Sequence, residues 1–578
     1  MSSIVGSFTF VLHSHLPYVL SHGRWPHGTD WLNEATAETY IPLLDVFYQL
    51  VAEGVSPKVT LGITPILSEQ LADLSFKEEF RGYLETKIQS AQEDIEYFTR
   101  VKDEARAPLA NDWREYYSKI LHHFTDKYHQ DLIGAFRRLQ EAGHIEIITC
   151  AATHGYLPLL AEDACVQAQI KQGVATYKRH YGRQPQGIWL PECAYRPRYP
   201  WKPPVDGEGV APYPRKGVEE FLSENGIEYF LIDSHLLRGG KAIGVYLDRF
   251  EALEKLWGQF EKGYQPRAEE PDKNPYEIYL VSSSPGGKKP VAVFTRDPKT
   301  GLQVWSGEHG YPGNGYYLDF HKKHFPGGHR YWRVTDTKAD LACKKVYEPQ
   351  RIEEIIREQA GHFKEMAKAI LLAHKKEKGA PGIITAPYDA ELFGHWWFEG
   401  PRWIYWVLKW MSQDPELKLV TCGEYLDKNP SRQVISIPEG SWGEGGFHWI
   451  WINDWNSWTW KHIYQAEKMM MEIAREFWPP KDEKMEAIIK QLGRELLLLE
   501  SSDWQFLIST WSARDYAEMR VSQHWDDFVR LHDMAQKYSR GQWVDPGEWE
   551  FLGILEKRDK IFPEINPQWW ARVEFPAD

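Results

Sequence analysis

Seven short apolar runs, spaced through the first three quarters of this chain, set its architecture. They are 7–12 (SFTFVL), 58–63 (KVTLGI), 145–149 (IEIIT), 187–190 (GIWL), 229–232 (YFLI), 291–294 (VAVF) and 382–385 (GIIT), rich in β-branched and aromatic residues and separated by sequence of helical periodicity. Their residues are apolar in succession rather than in alternation. That suits strands covered on both faces, as in a parallel sheet with crossover helices. Seven such units predict a curled (β/α) barrel, and 417–421 (LKLVT) is a candidate eighth strand. The runs end at or near His13 and His15, Thr64, His154, Glu192, Asp233, Arg296 and Asp389. Parallel barrels collect their catalytic groups at that end of the strands.

Between the second and third runs lies a helical stretch too long for a simple crossover. It predicts an inserted helical subdomain over 76–141, with two amphipathic helices joined near Pro108. Segments 198–214 and 263–289 are rich in proline, glycine and charge and read as loops. The charged stretch 254–289 matches no motif. After Pro430 the strand–helix alternation stops, and 460–557 is helical throughout. The predicted division is a barrel over 1–75 and 142–430, the insertion at 76–141, and an all-helical C-terminal domain over 431–578.

Apolar residues make up 42% of the 578 positions and charged residues 26%, the balance of a soluble protein with a sizeable core. A net charge of −14 repels nucleic acid and anionic membranes on average, so neither is an expected partner. No run reaches the ~20 apolar residues of a membrane-spanning helix, and no basic segment precedes the first apolar run as in a signal peptide. The five cysteines lack CxxC spacing and read as reduced thiols of a cytoplasmic protein. The unusual quantity is aromatic: 14% of the chain, including 27 tryptophans. A core does not need so many indoles, each with an N–H to satisfy. A surface for a sugar chain would use them, and so would a large protein interface.

Four constellations carry candidate chemistry. In GIWLPECAY, a strand ends and Pro191 breaks it, presenting Glu192 among apolar residues, as a functional acid or a salt-bridged structural one. In TAPYDAELFGHWWFEG, Asp389 lies among Tyr388, Phe393, His395, Trp396 and Trp397, whose desolvation suits a general acid; Glu391 and Glu399 compete for that role. Two carboxyls on different strand ends suit glycosidic-bond cleavage. The pair His13 and His15, with His154 and Asp389, fits a divalent metal, a set of hydrogen bonds to sugar hydroxyls, or a buried histidine bonded to backbone. In SWGEGGFHWIWINDWNSWTW, six tryptophans fall in twenty residues, and two or three are expected to face a cleft.

Taken together, HSHLPY, THGYLP, WLPECAY and APYDAELFGHWWFEG resemble, in order and spacing, the motifs of glycoside hydrolase family 57. SWGEGGFHWIWINDW and SSDWQFLISTW extend the resemblance to the family's branching-enzyme subgroup. The resemblance implies an incomplete (β/α)7 barrel with a helical insertion and a helical C-terminal domain, and a retaining mechanism without metal or other cofactor. It implies that Glu192 is the nucleophile and Asp389 the general acid/base. His13, His15 and His154 would contact the donor sugar, Arg296 and Trp305 would lie at the cleft, and Trp396 is a further candidate wall residue. Trp442 and Trp451 would form an aromatic platform, Asp503 a further sugar contact, and Tyr246 the tip of a mobile loop. The expected activity transfers an α-1,4-glucan segment to a second glucan through an α-1,6 bond, with a linear glucan donor and a glucan acceptor as partners. A 4-α-glucanotransferase or α-amylase would use the same carboxyls. A metal-dependent barrel hydrolase or a non-catalytic glucan-binding protein are readings of other classes.

Overall fold

The computed structural model describes residues 4–573 apart from 206, 208, 243–249, 285–288 and 307–309. All seven anticipated runs are strands: β1 (Gly6–Ser14), β2 (Val59–Ile63), β3 (Ile145–Cys150), β4 (Gly187–Trp189), β5 (Tyr229–Ile232), β6 (Val291–Thr295) and β7 (Gly382–Asp389). They lie in the order β7-β1-β2-β3-β4-β5-β6, every neighbouring pair parallel. Residues of β1 are buried along its whole length, so both faces are covered and no polar alternation is needed.

The barrel is incomplete for a local reason. An antiparallel strand, Tyr279–Val281, occupies the outer edge of β6 that a closing neighbour would need. Contact across the seam shrinks to one bridge between Arg296 and Thr385, with Asp297 N donating to Thr385 O at 3.1 Å. The candidate eighth run does not enter the barrel series. Leu417–Leu419 pairs with Gly6–Phe8 at the base of β1. On that edge β2 begins pairing only at Val11, which leaves a free stretch for a short strand.

The inserted stretch forms two long helices, Leu74–Arg100 and Arg106–His122. Their joint falls at 101–105 rather than at Pro108. That proline sits in the first turn of the second helix, where its missing N–H costs nothing. A third helix, Leu132–Glu141, leads back into β3. The unmatched charged stretch supplies the helix Glu251–Phe260 and the edge strand already described.

After the barrel come the helices Ser457–Phe477, Glu483–Leu499, Asp503–Thr510, Arg514–Ser539 and Pro546–Arg558. They dock on loops that follow the strands: Arg520 Nη1 donates to Tyr18 O at 2.6 Å, and His22 Nε2 meets Asp559 Oδ1 at 2.6 Å. The five cysteines are free thiols, four of them buried. Among the described residues no helix is long and apolar enough to cross a membrane.

One close approach locks a crossover helix to the sheet. The helix Asp163–Tyr181 passes β3 so tightly that a Cβ on Gly173 would stand 2.2 Å from the carbonyl oxygen of Cys150. Gly173→Ala must therefore push helix and strand apart. The expected cost is about 1–3 kcal/mol, read as a lower denaturant midpoint; an unchanged midpoint would contradict the contact.

Candidate active site

Sharp turns at the strand ends aim the functional side chains. After β4, Pro191 ends the ladder and Glu192 and Cys193 adopt φ of 59° and 47°. After β3, His154 has φ of 61°. Left-handed backbone is unfavourable for such residues and persists where surrounding structure enforces it, often at functional sites. In β1 and β7 the parallel register sets His13 directly beside Asp389. On the other side of β1, Gly62 leaves room for the His13 ring, since a Cβ there would lie 3.2 Å from Nδ1.

Glu192 and Asp389 open onto one cavity of about 380 Å³, which His13, His15, His154 and Asp503 also line. Burial pushes the Glu192 carboxyl up to about 8, and the negative charges of Asp389 and Asp503 add to the effect. The indole N–H of Trp442 opposes them by donating to Glu192 Oε2 at 2.8 Å. With 13% of its side chain exposed, Glu192 keeps an opening to the cavity. Of the two competing acids, Glu391 lines the cavity wall but is held from behind by Tyr40 Oη at 2.5 Å and His15 N at 3.1 Å. Glu399 is turned away from it, accepting from Leu318 N at 3.0 Å and Tyr347 Oη at 2.7 Å.

The three histidines form one stack whose far side is supplied by the C-terminal helices. His15 and His154 have ring centroids 4.0 Å apart with planes at 13°, and His13 lies 4.7 Å from Trp189 at 12°. His13 Nε2 meets His154 Nε2 at 3.1 Å, and His154 Nδ1 meets Ser502 Oγ at 2.8 Å. His13 Nδ1 is buried and, among the described residues, without a hydrogen-bond partner. A bare acceptor there costs less than an orphaned N–H, so the network assigns the proton to His13 Nε2, and His154 then donates through Nδ1 to Ser502. Burial first, then the neighbouring rings, hold His13 and His154 well below the usual histidine range, so both are neutral near pH 7. His15 donates through Nε2 to Asp503 at 2.9 Å. Burial raises Asp503, but the neighbouring His15 outweighs it and keeps that carboxylate below its ordinary range.

His15, His154 and Asp503 bring possible ligand atoms within 4.8 Å of one another. Yet the stacked rings direct their lone pairs in nearly parallel planes. An ion ~2.0–2.1 Å from both nitrogens would lie out of plane of each. All four ring nitrogens of His15 and His154 also already have partners, with Thr64 Oγ1 at 3.1 Å from His15 Nδ1. The arrangement is that of a closed hydrogen-bond network and disfavours one shared cation.

The aromatic expectations divide. Trp442, Trp305 and Trp396 line the cavity, and Trp396, 40% exposed, stacks on Phe320 with centroids 5.0 Å apart at 7°. Trp451 does not reach it: fully buried, it stacks on Tyr156 at 4.8 Å and supports the wall from behind. Arg296 is likewise buried rather than on the wall, ion-paired with Asp233 and placed 5.8 Å over the Trp442 ring, which it backs. Of the six tryptophans in 441–460, only Trp442 is among the lining residues, because Trp460 and Trp451 pack inward and Trp449 stacks on Phe260 at 4.7 Å. Tyr246 lies outside the described residues. Sequence reasoning missed Trp31, Phe320, Phe506 and Leu507 on the wall, and Ser502 behind His154. Nothing in their local sequence marks the first two. The neighbouring SSDWQFL motif, singled out for Asp503 alone, held the signal for the other three.

Comparison with known proteins covers most of the chain. The profile of Glycosyl hydrolase family 57 matches residues 9–438, and the C-terminal profile of 1,4-alpha-glucan branching enzymes matches 462–570. A 1,4-alpha-glucan branching enzyme of Thermococcus kodakarensis is 41% identical over 97% of this chain and 78% of that one. Crystal structures of GH57 branching enzymes from Thermococcus kodakaraensis and Pyrococcus horikoshii superpose with TM-scores of 0.89 and 0.87. Each is 40% identical and covers 99% of this chain and 98% of theirs. The alpha-amylase AmyC of Thermotoga maritima superposes with a TM-score of 0.79 at 30% identity, covering 99% of this chain and all of that one. The chain belongs to Glycosyl hydrolase family 57.

Proposed function

We propose that this protein is a 1,4-alpha-glucan branching enzyme. The reading rests on two carboxyls, Glu192 and Asp389, delivered from separate strand ends to one aromatic-walled cavity, together with a C-terminal stretch, 462–570, that matches the branching-enzyme profile. In this mechanism the Glu192 carboxylate attacks C1 of a glucosyl unit while Asp389 protonates the departing O4, which leaves a covalent glycosyl-enzyme. The C6 hydroxyl of a second glucan then attacks C1, Asp389 takes its proton, and Glu192 is released as an α-1,6 bond forms.

The chemistry needs one proton on the two carboxyls, placed on Asp389. The hydrogen bond from Trp442 favours leaving the charge on Glu192. The charged Asp503, bonded by His15 and by Ser501 Oγ, then offers its remaining lone pairs to sugar hydroxyls, while the neutral His13 and His154 line the pocket without adding charge. The aromatic wall stacks on sugar faces and limits water near C1.

Linkage analysis tests the reading directly. Incubation with linear amylose should produce an α-1,6 anomeric proton signal; reducing ends without it would assign the chain to hydrolysis, as in the related amylase. Glu192→Gln keeps the side chain's shape and should lower activity roughly 10³-fold or more with the melting temperature retained. Wild-type turnover by that variant would remove the nucleophile from the account.

The pH profile carries a separate prediction. Glu192 must be ionised to attack, so kcat/KM should rise with pH through its raised pKa of about 8. Trp442→Phe removes the bond that favours the carboxylate. The acidic limb should then move to higher pH by about one unit, and a shift to lower pH would contradict the assigned role of the indole.

A further inference from the structure

Arg196 stands four positions beyond Glu192 in the same loop, wholly buried, yet among the described residues none of its three guanidinium nitrogens has a hydrogen-bond partner. A guanidinium brings five N–H donors, accepts nothing and keeps its charge. The two carboxylates whose charges bear on it are already committed. Asp163 accepts from Arg215 Nε at 2.6 Å and from Lys216 N at 3.1 Å. Glu439 accepts from His448 Nε2 at 2.8 Å and from the Tyr199 hydroxyl.

The charge that bears most on Arg196 has the same sign. Arg215 is buried too, and its Nη2 is likewise without a partner. Two like-charged forks thus leave the three nitrogens of Arg196 and one of Arg215 unsatisfied in the interior. Such a setting is costly and calls for a group that accepts from every side. Water fits less well, because each molecule must also place two protons of its own among groups that only donate.

We propose that Arg196 and Arg215 form an internal binding site for a small monovalent inorganic anion of halide size. The site lies behind the loop that carries Glu192, where the hairpin of Tyr199–Trp201 and Tyr213–Arg215 meets the start of the helix Asp163–Tyr181. Its reach toward the cavity is through backbone. Tyr195 and Gly440 exchange hydrogen bonds at 2.8 and 3.0 Å, and Trp442 N donates to Glu192 O at 3.1 Å. An anion there braces the segment that holds both the acid and the indole that bonds it.

Bromide is the probe, because its anomalous scattering distinguishes it from water. Crystals of the full chain in sodium bromide should show an anomalous peak against the Arg196 and Arg215 guanidinium groups. In solution, replacing gluconate by chloride or bromide at constant ionic strength should raise Tm in a saturable way, and Arg196→Gln should lose both the peak and the halide dependence. No peak at the two arginines, or equal Tm in gluconate and halide for the wild-type chain, overturns the proposal, as does a peak without any effect on Tm (binding at crystal concentration only). The wild-type measurements decide the matter even if Arg196→Gln does not fold. They do not involve glucan, so they are independent of the proposed activity.

Discussion

The site is assembled by the contact between the tip of the C-terminal helices and the loop after β3. Gly155 pairs with Ser501, Ser502 N donates to His154 O at 3.1 Å, and the side chains of Ser502 and Asp503 fix His154 and His15 in turn. Without those partners the barrel would present a stack of buried imidazoles with undefined tautomers beside a raised carboxyl. With them, donors and acceptors are fixed before any substrate arrives, and that is the form in which polar groups help a reaction most. The helical part completes the cavity that the strands begin.

Much of this was legible in the sequence because parallel strands buried on both faces leave an unbroken apolar signature. Six of the seven runs match their strands within two residues and the last, 382–385, is extended to Asp389; their C-terminal ends point to Glu192, Asp389 and the histidines. The eighth run shows the limit of that signal: LKLVT has strand composition, but composition cannot say which edge of which neighbour is free. Edge availability depends on where β2 begins to pair with β1. The joint near Pro108 lies a few residues ahead of the proline, since proline is tolerated in a first helical turn and marks a helix start as readily as an end.

The tryptophans separate two meanings of an aromatic-rich segment. Six in twenty residues suggested a cleft lining, and their loop-like setting pointed the same way. Only Trp442 is on the wall, while Trp451, Trp460 and Trp449 build the body that holds it. Trp460 Nε1 donates to Trp451 O at 2.8 Å, so that inward indole is tied to the scaffold by a hydrogen bond as well as by packing. Arg296 follows the same logic from the barrel side, where its pairing with Asp233 fixes a cation behind the Trp442 ring. Residue type announced contact with a flat ligand; depth in the fold, which sequence does not carry, decided which rings make it.

That layering bears on how a glycosyl-enzyme could favour a sugar hydroxyl over water. Water competes through concentration, so transfer requires an acceptor held near C1 and a cavity that is poorly hydrated around it. A single exposed platform would bind sugar but leave water free beside it. Here the wall ring Trp442 is held by Trp189 at 5.1 Å and Trp305 at 6.2 Å, both nearly edge-on, and by the Arg296 guanidinium behind. The indole that bonds Glu192 is thus part of a fixed surface and cannot swing aside to admit solvent without breaking several contacts at once. Rigidity of the wall and charge placement on Glu192 come from the same side chain, which is why its substitution should alter the pH profile and the partition between water and sugar together.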